Sequence, residues 1–334
     1  MGRFSFWAGL VIAGMCVAWA LASYDISAVG AALAGANYWW ILPAAVIEVA
    51  LIFVRAVRWR YFLDPLKKEV SLFNATATTF IGFTANMIFP ARAGEFIRPA
   101  LLAKKESLKT SAVLGTVVIE RAVDGITAGL VAGAVLLLVE VPADKAVYWS
   151  TLQAAGLLFI FFFLSLFAAL VMLQKKFRPV EAVIDAMLGV LPAPLARRAR
   201  ELIDSFLEGF LFLESGHHVV AITLWSFVFW LVAGGLNIAF FYAFGLDLPW
   251  IATYLVLMAQ VIGVMVPAPG FVGPYHAATV AALAFYGVPA ELGLSIAIVM
   301  HGTMFITNLL PGLLVIPFSR GYAAREAFHV PEER

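Results

Sequence analysis

A chain of 334 residues that is 63% hydrophobic and 13% charged has about half the charged share of an ordinary soluble domain. That is too little to clothe a water-facing surface, so a soluble globular protein is excluded. Its 22 Lys and Arg against 21 Asp and Glu leave a net charge of +1, which supplies no global field for nucleic acid, and its one cysteine, Cys16, cannot close an internal disulfide or build a thiolate metal cluster.

A bilayer core of about 30 Å takes about 20 apolar residues of helix. Residues 4–24 meet that length behind Arg3. The run outlasts the roughly 7–15-residue core of a secretory signal, and Ser23-Tyr24-Asp25 makes a poor cleavage site, so a retained first span is expected. Residues 38–60 form the second span. Arg55 and Arg58, near its end, are expected to snorkel to the surface. Glu48 lies deeper on the Arg55 face and is a candidate coupling group. Residues 71–103 are apolar but broken at Pro90. Residues 110–139 and 147–173 are again long enough to cross. The polar segment 174–218 carries Leu195, Leu202, Phe206, Phe210 and Leu213 at helical spacing. It reads either as an amphipathic helix on the cytoplasmic surface or as a connecting helix packed on the bundle. Residues 219–244 and 289–317 complete the spans, with Asn308 and Pro311 marking a place where the last one unwinds. Between them, 250–287 is broken at Pro267, Pro269 and Gly270.

Lys and Arg collect after 38–60, after 71–103, within 174–218 and at Arg320 and Arg325, while the loops 25–37 and 245–249 have none. The positive-inside rule then places both termini in the cytoplasm of a multi-pass protein of the cell (inner or plasma) membrane. Basic residues flank both ends of 71–103, so that stretch should enter and return on the cytoplasmic side, and 250–287 should do the same from outside. The expected fold is an all-α integral membrane protein, a single transmembrane domain over 1–334, with six full spans and two oppositely oriented re-entrant hairpins. A first repeat of about 38–139 and a second of about 219–317 make it inverted-repeat, transporter-like.

A charge at the bilayer centre costs about 2.5–3.5 kcal/mol, so the ionisable residues at depth are the informative ones. Arg92, Glu95 and Arg98 follow the first break. Glu95 and Arg98, three apart, share a helical face. A helix starting near Gly94 would aim unpaired N–H groups at the tip, an anion site between two guanidiniums; snorkelling arginines neutralised by Glu95 are the alternative. Glu120, Arg121 and Asp124 lie about 15 Å into the 110–139 span, near the midplane. Arg92 or Arg98 is expected to pair with Glu120 or Asp124, either as part of a binding site or as a buried ion network that fixes the hairpin. A second-half site would draw on Pro267, Gly270, Gly273, His276 and His301. His217 and His218 are expected at the interface.

The tract Pro90-Ala-Arg-Ala-Gly-Glu-Phe-Ile-Arg98, followed by Glu120-Arg121-Ala-Val-Asp124-Gly125, resembles the flippase-like transmembrane family of lysylphosphatidylglycerol synthases. That family's pattern is P-A-R-x-G-E-x-x-R and then E-R-x-x-D-G. Pro267 to His276 resembles its P-G-G-x-G-x-x-E tract, departing from it with Phe271 in place of a glycine and His276 in place of the acid. The resemblance implies movement of lipids or lipid-linked head groups between leaflets. With the chain ending at Arg334, the transport half is expected without the soluble synthase half.

The function expected is a flippase for an amphiphile with an anionic or zwitterionic head. Arg92 and Arg98 would hold its phosphate, with Glu95, Glu120 and Asp124 holding the arginines when the site is empty. A membrane enzyme acting on lipid phosphate and a non-transporting scaffold of a lipid-synthesis complex are the alternatives. No catalytic residue, metal or cofactor is expected, and the partner is a membrane lipid or lipid-linked head group. A homo-oligomer and a lipid-synthesis enzyme partner remain open.

Overall fold

The structure is a computed structural model that describes residues 14, 24–89, 92–139, 146–266 and 268–323. The expected first span, 4–24, lies outside the described residues apart from 14 and 24, as do Arg3, Cys16, Pro90, Pro267 and Arg325. Every described element is a helix, the form that satisfies each backbone N–H and C=O within its own segment where no water is at hand.

A short helix, α1 (Ile26–Gly35), is followed by a 3-10 turn (Tyr38–Trp40) that runs into α2 (Ile41–Leu63). Next come α3 (Leu72–Ile88), α4 (Gly94–Glu106), α5 (Thr110–Leu138) and α6 (Ala146–Gln174). Two helices, α7 (Arg178–Leu188) and α8 (Ala193–Glu208), lead through a 3-10 turn to α9 (Gly216–Gly235) and α10 (Asn237–Ala243). The chain then forms α11 (Trp250–Met265), α12 (Pro274–Ala284) and α13 (Ala290–Ala323). Among the described residues, five stretches are long and apolar enough to cross a membrane: Tyr38–Leu63, Thr110–Leu138, Gly156–Gln174, Gly216–Ala243 and Ala290–Pro317. They coincide with five of the six expected spans, and the chain is a multi-pass membrane protein.

The two broken stretches each form an antiparallel helical hairpin. In α3, 17 residues extend about 26 Å, and in α11, 16 residues extend about 24 Å, both short of the bilayer core. The first hairpin closes tightly because Gly94 lacks a side chain: a Cβ there would stand 1.8 Å from the Gly82 carbonyl oxygen. Its base is tied to the Leu63 end of α2 by Lys67 Nζ on Glu106 Oε2 at 2.6 Å. The second hairpin has its base at the other end of the bundle, where the Asn37 N–H donates to the Ala243 carbonyl at 2.7 Å. The hairpins therefore run in from opposite ends, and their tips touch. A Cβ on Gly270 would lie 3.5 Å from the Met87 carbonyl oxygen.

Two expectations are corrected. The last span does not unwind at Asn308 and Pro311; α13 is helical through both. A neighbouring helix supports the weakened ladder, since the Thr84 hydroxyl donates to the Asn308 carbonyl at 2.8 Å, as happens at prolines in membrane helices. The segment 174–218 is not one amphipathic helix. Arg200 of α8 folds it back on α7, pairing with Glu181 and with Asp185 at 3.1 Å. Its apolar stripe divides accordingly: Leu195 and Leu202 are exposed, whereas Phe210 is wholly buried in the core around Trp59, Phe62 and Leu102.

Candidate functional site

Three helices bring charge to one place. α5 carries Glu120, Arg121 and Asp124; α2 contributes Arg55 and Arg58, three apart and on one face; α4 contributes Glu95 and Arg98. Glu120 accepts from Arg58 Nη2 at 2.9 Å, Arg98 Nη2 at 2.9 Å and Arg121 Nη2 at 3.0 Å. Asp124 meets Arg58 Nη1 at 2.5 Å, Arg55 Nη1 at 3.3 Å and Arg121 Nη2 at 3.3 Å. Arg92 reaches Glu95 at 3.4 Å, and Arg121 lies 3.8 Å from the other oxygen of Glu95. The five guanidiniums face three carboxylates, an excess of two positive charges.

Aromatic faces hold the guanidiniums that the carboxylates leave uncovered. Arg98 lies 3.7 Å over the Trp59 ring and Arg55 3.9 Å over Phe229, contacts that strengthen where water is scarce. Trp59 is itself fixed by its Nε1–H donating to the Thr116 hydroxyl at 2.9 Å. Ser226 of α9 accepts from Arg58 Nη1 at 3.0 Å.

This cluster forms one wall of a cavity of about 340 Å³ that extends to the second hairpin. Arg55, Arg92, Arg121, Asp124 and Glu48 line its charged side, and Phe159, Phe163, Phe229, Trp230 and Phe240 its aromatic side. Residues of both tips, Met87 and Phe271, also border it. Four polar atoms of cavity-lining residues, Arg92 Nε, Arg121 Nε, Trp230 Nε1 and Asn308 Oδ1, are buried without a hydrogen-bond partner. An apolar cleft with a few convergent polar groups is the usual form of a small-molecule site.

The expected pairing of a hairpin arginine with an acid of the 110–139 span is present as Arg98–Glu120. Other placements differ from expectation. Arg55 and Arg58 do not snorkel: the Arg58 side chain is wholly buried, because its charge is met by Glu120 and Asp124. Glu95 pairs with Arg92 and Arg121 rather than neutralising Arg98. Arg98 and Glu120 stand behind the cavity wall, and Arg92, Arg121 and Asp124 stand on it. α4 does begin at Gly94, but that N–H is taken by Asn86 Oδ1 at 2.8 Å and is not offered to a ligand. Glu48 lines the cavity. In the second tip, His301 Nε2 is 2.7 Å from the Gly270 carbonyl, the Gly273 N–H donates to His276 Nδ1 at 3.4 Å, and the two imidazoles lie 4.8 Å apart. These histidines brace the loop, and Tyr275 beside them faces the cavity. His218, expected at the interface, pairs with Asp64 at 2.9 Å.

The profile of the family described as "Lysylphosphatidylglycerol synthase TM region" matches residues 6–312. A protein of Haloferax volcanii described as glycosyltransferase AglD is 30% identical over 130 residues, which is 39% of this chain and 21% of that protein. The chain thus spans about a fifth of the length of that relative.

Proposed function

Because the chain belongs to the family of lysylphosphatidylglycerol synthase transmembrane regions, a lipid-related membrane family, we propose that it moves a lipid with an anionic or zwitterionic head group between leaflets. The observation that carries this reading is the excess of two guanidinium charges in the cluster that backs one side of an aromatic-lined cavity at the meeting point of two hairpin tips. Guanidiniums bind phosphate through paired hydrogen bonds, and the aromatic side suits the first part of an acyl or prenyl chain. Arg92, Arg121 and Arg55 are the phosphate-facing groups in this reading. Arg58, Arg98, Glu120 and Asp124 position them.

The hairpins are re-entrant in this reading, dipping from opposite faces, and the chain is one transmembrane domain of two inverted repeats with both termini in the cytoplasm. Backbone geometry supports the repeat. Arg92 takes a left-handed φ of 52° and Phe271 one of 63°. Each stands third in a Pro-x-x-x-Gly run, Pro90 to Gly94 and Pro269 to Gly273. A non-glycine residue in that region costs about 1–3 kcal/mol and collects at functional sites.

Lipid-phosphate chemistry would call for a nucleophile with a base, or acids free to bind a metal. Asp124, the acid beside the cavity arginines, is instead tied to guanidiniums, an arrangement suited to holding an anion.

The test is lipid movement in proteoliposomes carrying a trace of fluorescent short-chain phosphatidylglycerol, read by quenching from outside. Arg92→Gln should slow movement at least about tenfold, and Arg92→Lys should restore part of it, because ammonium acts as a point charge. A folded Arg92→Gln protein that moves the probe at the normal rate would overturn the assignment of this site.

A further inference from the structure

Glu48 differs from the other carboxylates of the cavity region. Glu120 and Asp124 are each touched by three guanidiniums, so neutralising either would strand buried positive charge, a costly outcome. Among the described residues, no Lys, Arg or His forms an ion pair with Glu48, and its hydrogen bond is with the Thr307 hydroxyl of α13 at 2.5 Å. The other ionisable groups that face it are Tyr275 from α12, Arg55 two turns along α2, and Arg92, Arg121 and Asp124 across the cavity.

The hydrogen bonds around Thr307 do not close with one proton. Its Oγ1 lies 2.5 Å from Glu48 Oε2, 2.8 Å from the Thr303 carbonyl and 3.1 Å from the Met304 carbonyl. A hydroxyl donates once, and carbonyls only accept. When Thr307 donates back to its own helix, as buried threonines do, the contact with Glu48 is a hydrogen bond only if Glu48 carries a proton and donates it. When Glu48 is charged, the hydroxyl must turn from the carbonyl to the carboxylate. One rotation separates two satisfied states that differ by a proton.

We infer that Glu48 is the proton carrier that couples lipid movement to a transmembrane proton gradient; this rests on the flippase reading. A proton from one side forms an O–H bond on the carboxylate and is released to the other side as access to the cavity alternates. No electron moves. The driving agent is the difference in proton concentration. Charge sets the direction. With Glu48 neutral, the arginine cluster keeps its full excess of two positive charges for an anionic head. With Glu48 ionised, a fourth negative charge joins the wall and holds that head less well. Proton and anionic lipid therefore favour each other's binding, a coupling that is reciprocal, and the two cross in the same direction.

The test uses the full chain in vesicles of phosphatidylglycerol and phosphatidylethanolamine with fluorescent phosphatidylglycerol as probe, with and without a pH difference of about one unit. That difference is a tenfold ratio in proton activity, about 1.4 kcal/mol. One proton per lipid should therefore enrich the probe up to about tenfold in the leaflet facing the alkaline side. A protonophore should abolish the enrichment. Glu48→Gln should bring the ratio to about one, and Glu48→Asp, which keeps the carboxyl, should retain enrichment. Should Glu48→Gln not fold, Thr307→Val, which exchanges the hydroxyl for a methyl group, must shift the pH at which enrichment sets in. Enrichment that survives in Glu48→Gln, an unshifted Thr307→Val, or wild-type movement indifferent to the gradient each overturn the inference while leaving the flippase reading intact. If the wild type moves no probe at all, the flippase reading falls and takes the inference with it.

Discussion

Arg58 is the residue that joins the cluster, touching Glu120, Asp124 and Ser226 at once. Removing one member of a buried charge network leaves its partners unpaired at a cost of about 3–5 kcal/mol. Arg58→Ala should accordingly lower the melting temperature in detergent steeply. Arg92→Gln, which replaces a side chain that is 41% exposed, should lower it little. Equal melting shifts would show that burial does not separate positioning from ligand-facing arginines here. The sequence made the Arg98–Glu120 pair legible, because an acid and a base at depth must meet something. It concealed Arg58, which stands just before Arg60, Lys67 and Lys68 in a run that looks like an interfacial anchor. Whether such an arginine turns outward or inward depends on what faces it, and Glu120 and Asp124 come from a helix about sixty residues away in sequence.

At the scale of the element, the first hairpin depends on its base as much as on its tip. Glu106 at the end of α4 accepts from Lys67 Nζ at 2.6 Å and Asn74 Nδ2 at 2.7 Å. Burial raises its pKa, but the hydrogen bonds from Lys67 and Asn74 outweigh that and hold it below the usual 4.5. A carboxylate depressed in the folded state contributes stability above its unfolded pKa and loses it as pH falls through the folded value. Melting curves should therefore decline below about pH 4.5, and Glu106→Gln should flatten that acid limb. At neutral pH the substitution should cost about 1–2 kcal/mol, towards the low side because half-exposed Lys67 is screened by water. An unchanged acid limb would place the pH response elsewhere. The breaks themselves were legible from Pro and Gly, and so was the start of α4 at Gly94. The capping of Gly94 by Asn86 was not, since it arises only when α3 and α4 lie antiparallel. The continuity of α13 through Pro311 was hidden for the same kind of reason: Thr84, more than two hundred residues earlier, supports the ladder.

For the whole molecule, the arrangement of hairpin bases makes a prediction about sidedness. Single cysteines at Lys67 and Lys104 should be labelled from the same face of the membrane, and one at Asp247 from the opposite face. Labelling of Lys67 and Lys104 from opposite faces would make the first hairpin a crossing span. The contact between the tips, Gly270 against the Met87 carbonyl, has an electrical consequence as well. If the two short hairpins are re-entrant, as proposed, the divide between the sides would be a septum two loops thick rather than a bilayer about 30 Å deep. A voltage across the membrane would then fall mostly within that septum. A charge passing it would then do work of about 2.3 kcal/mol per 100 mV within the thickness of the two loops.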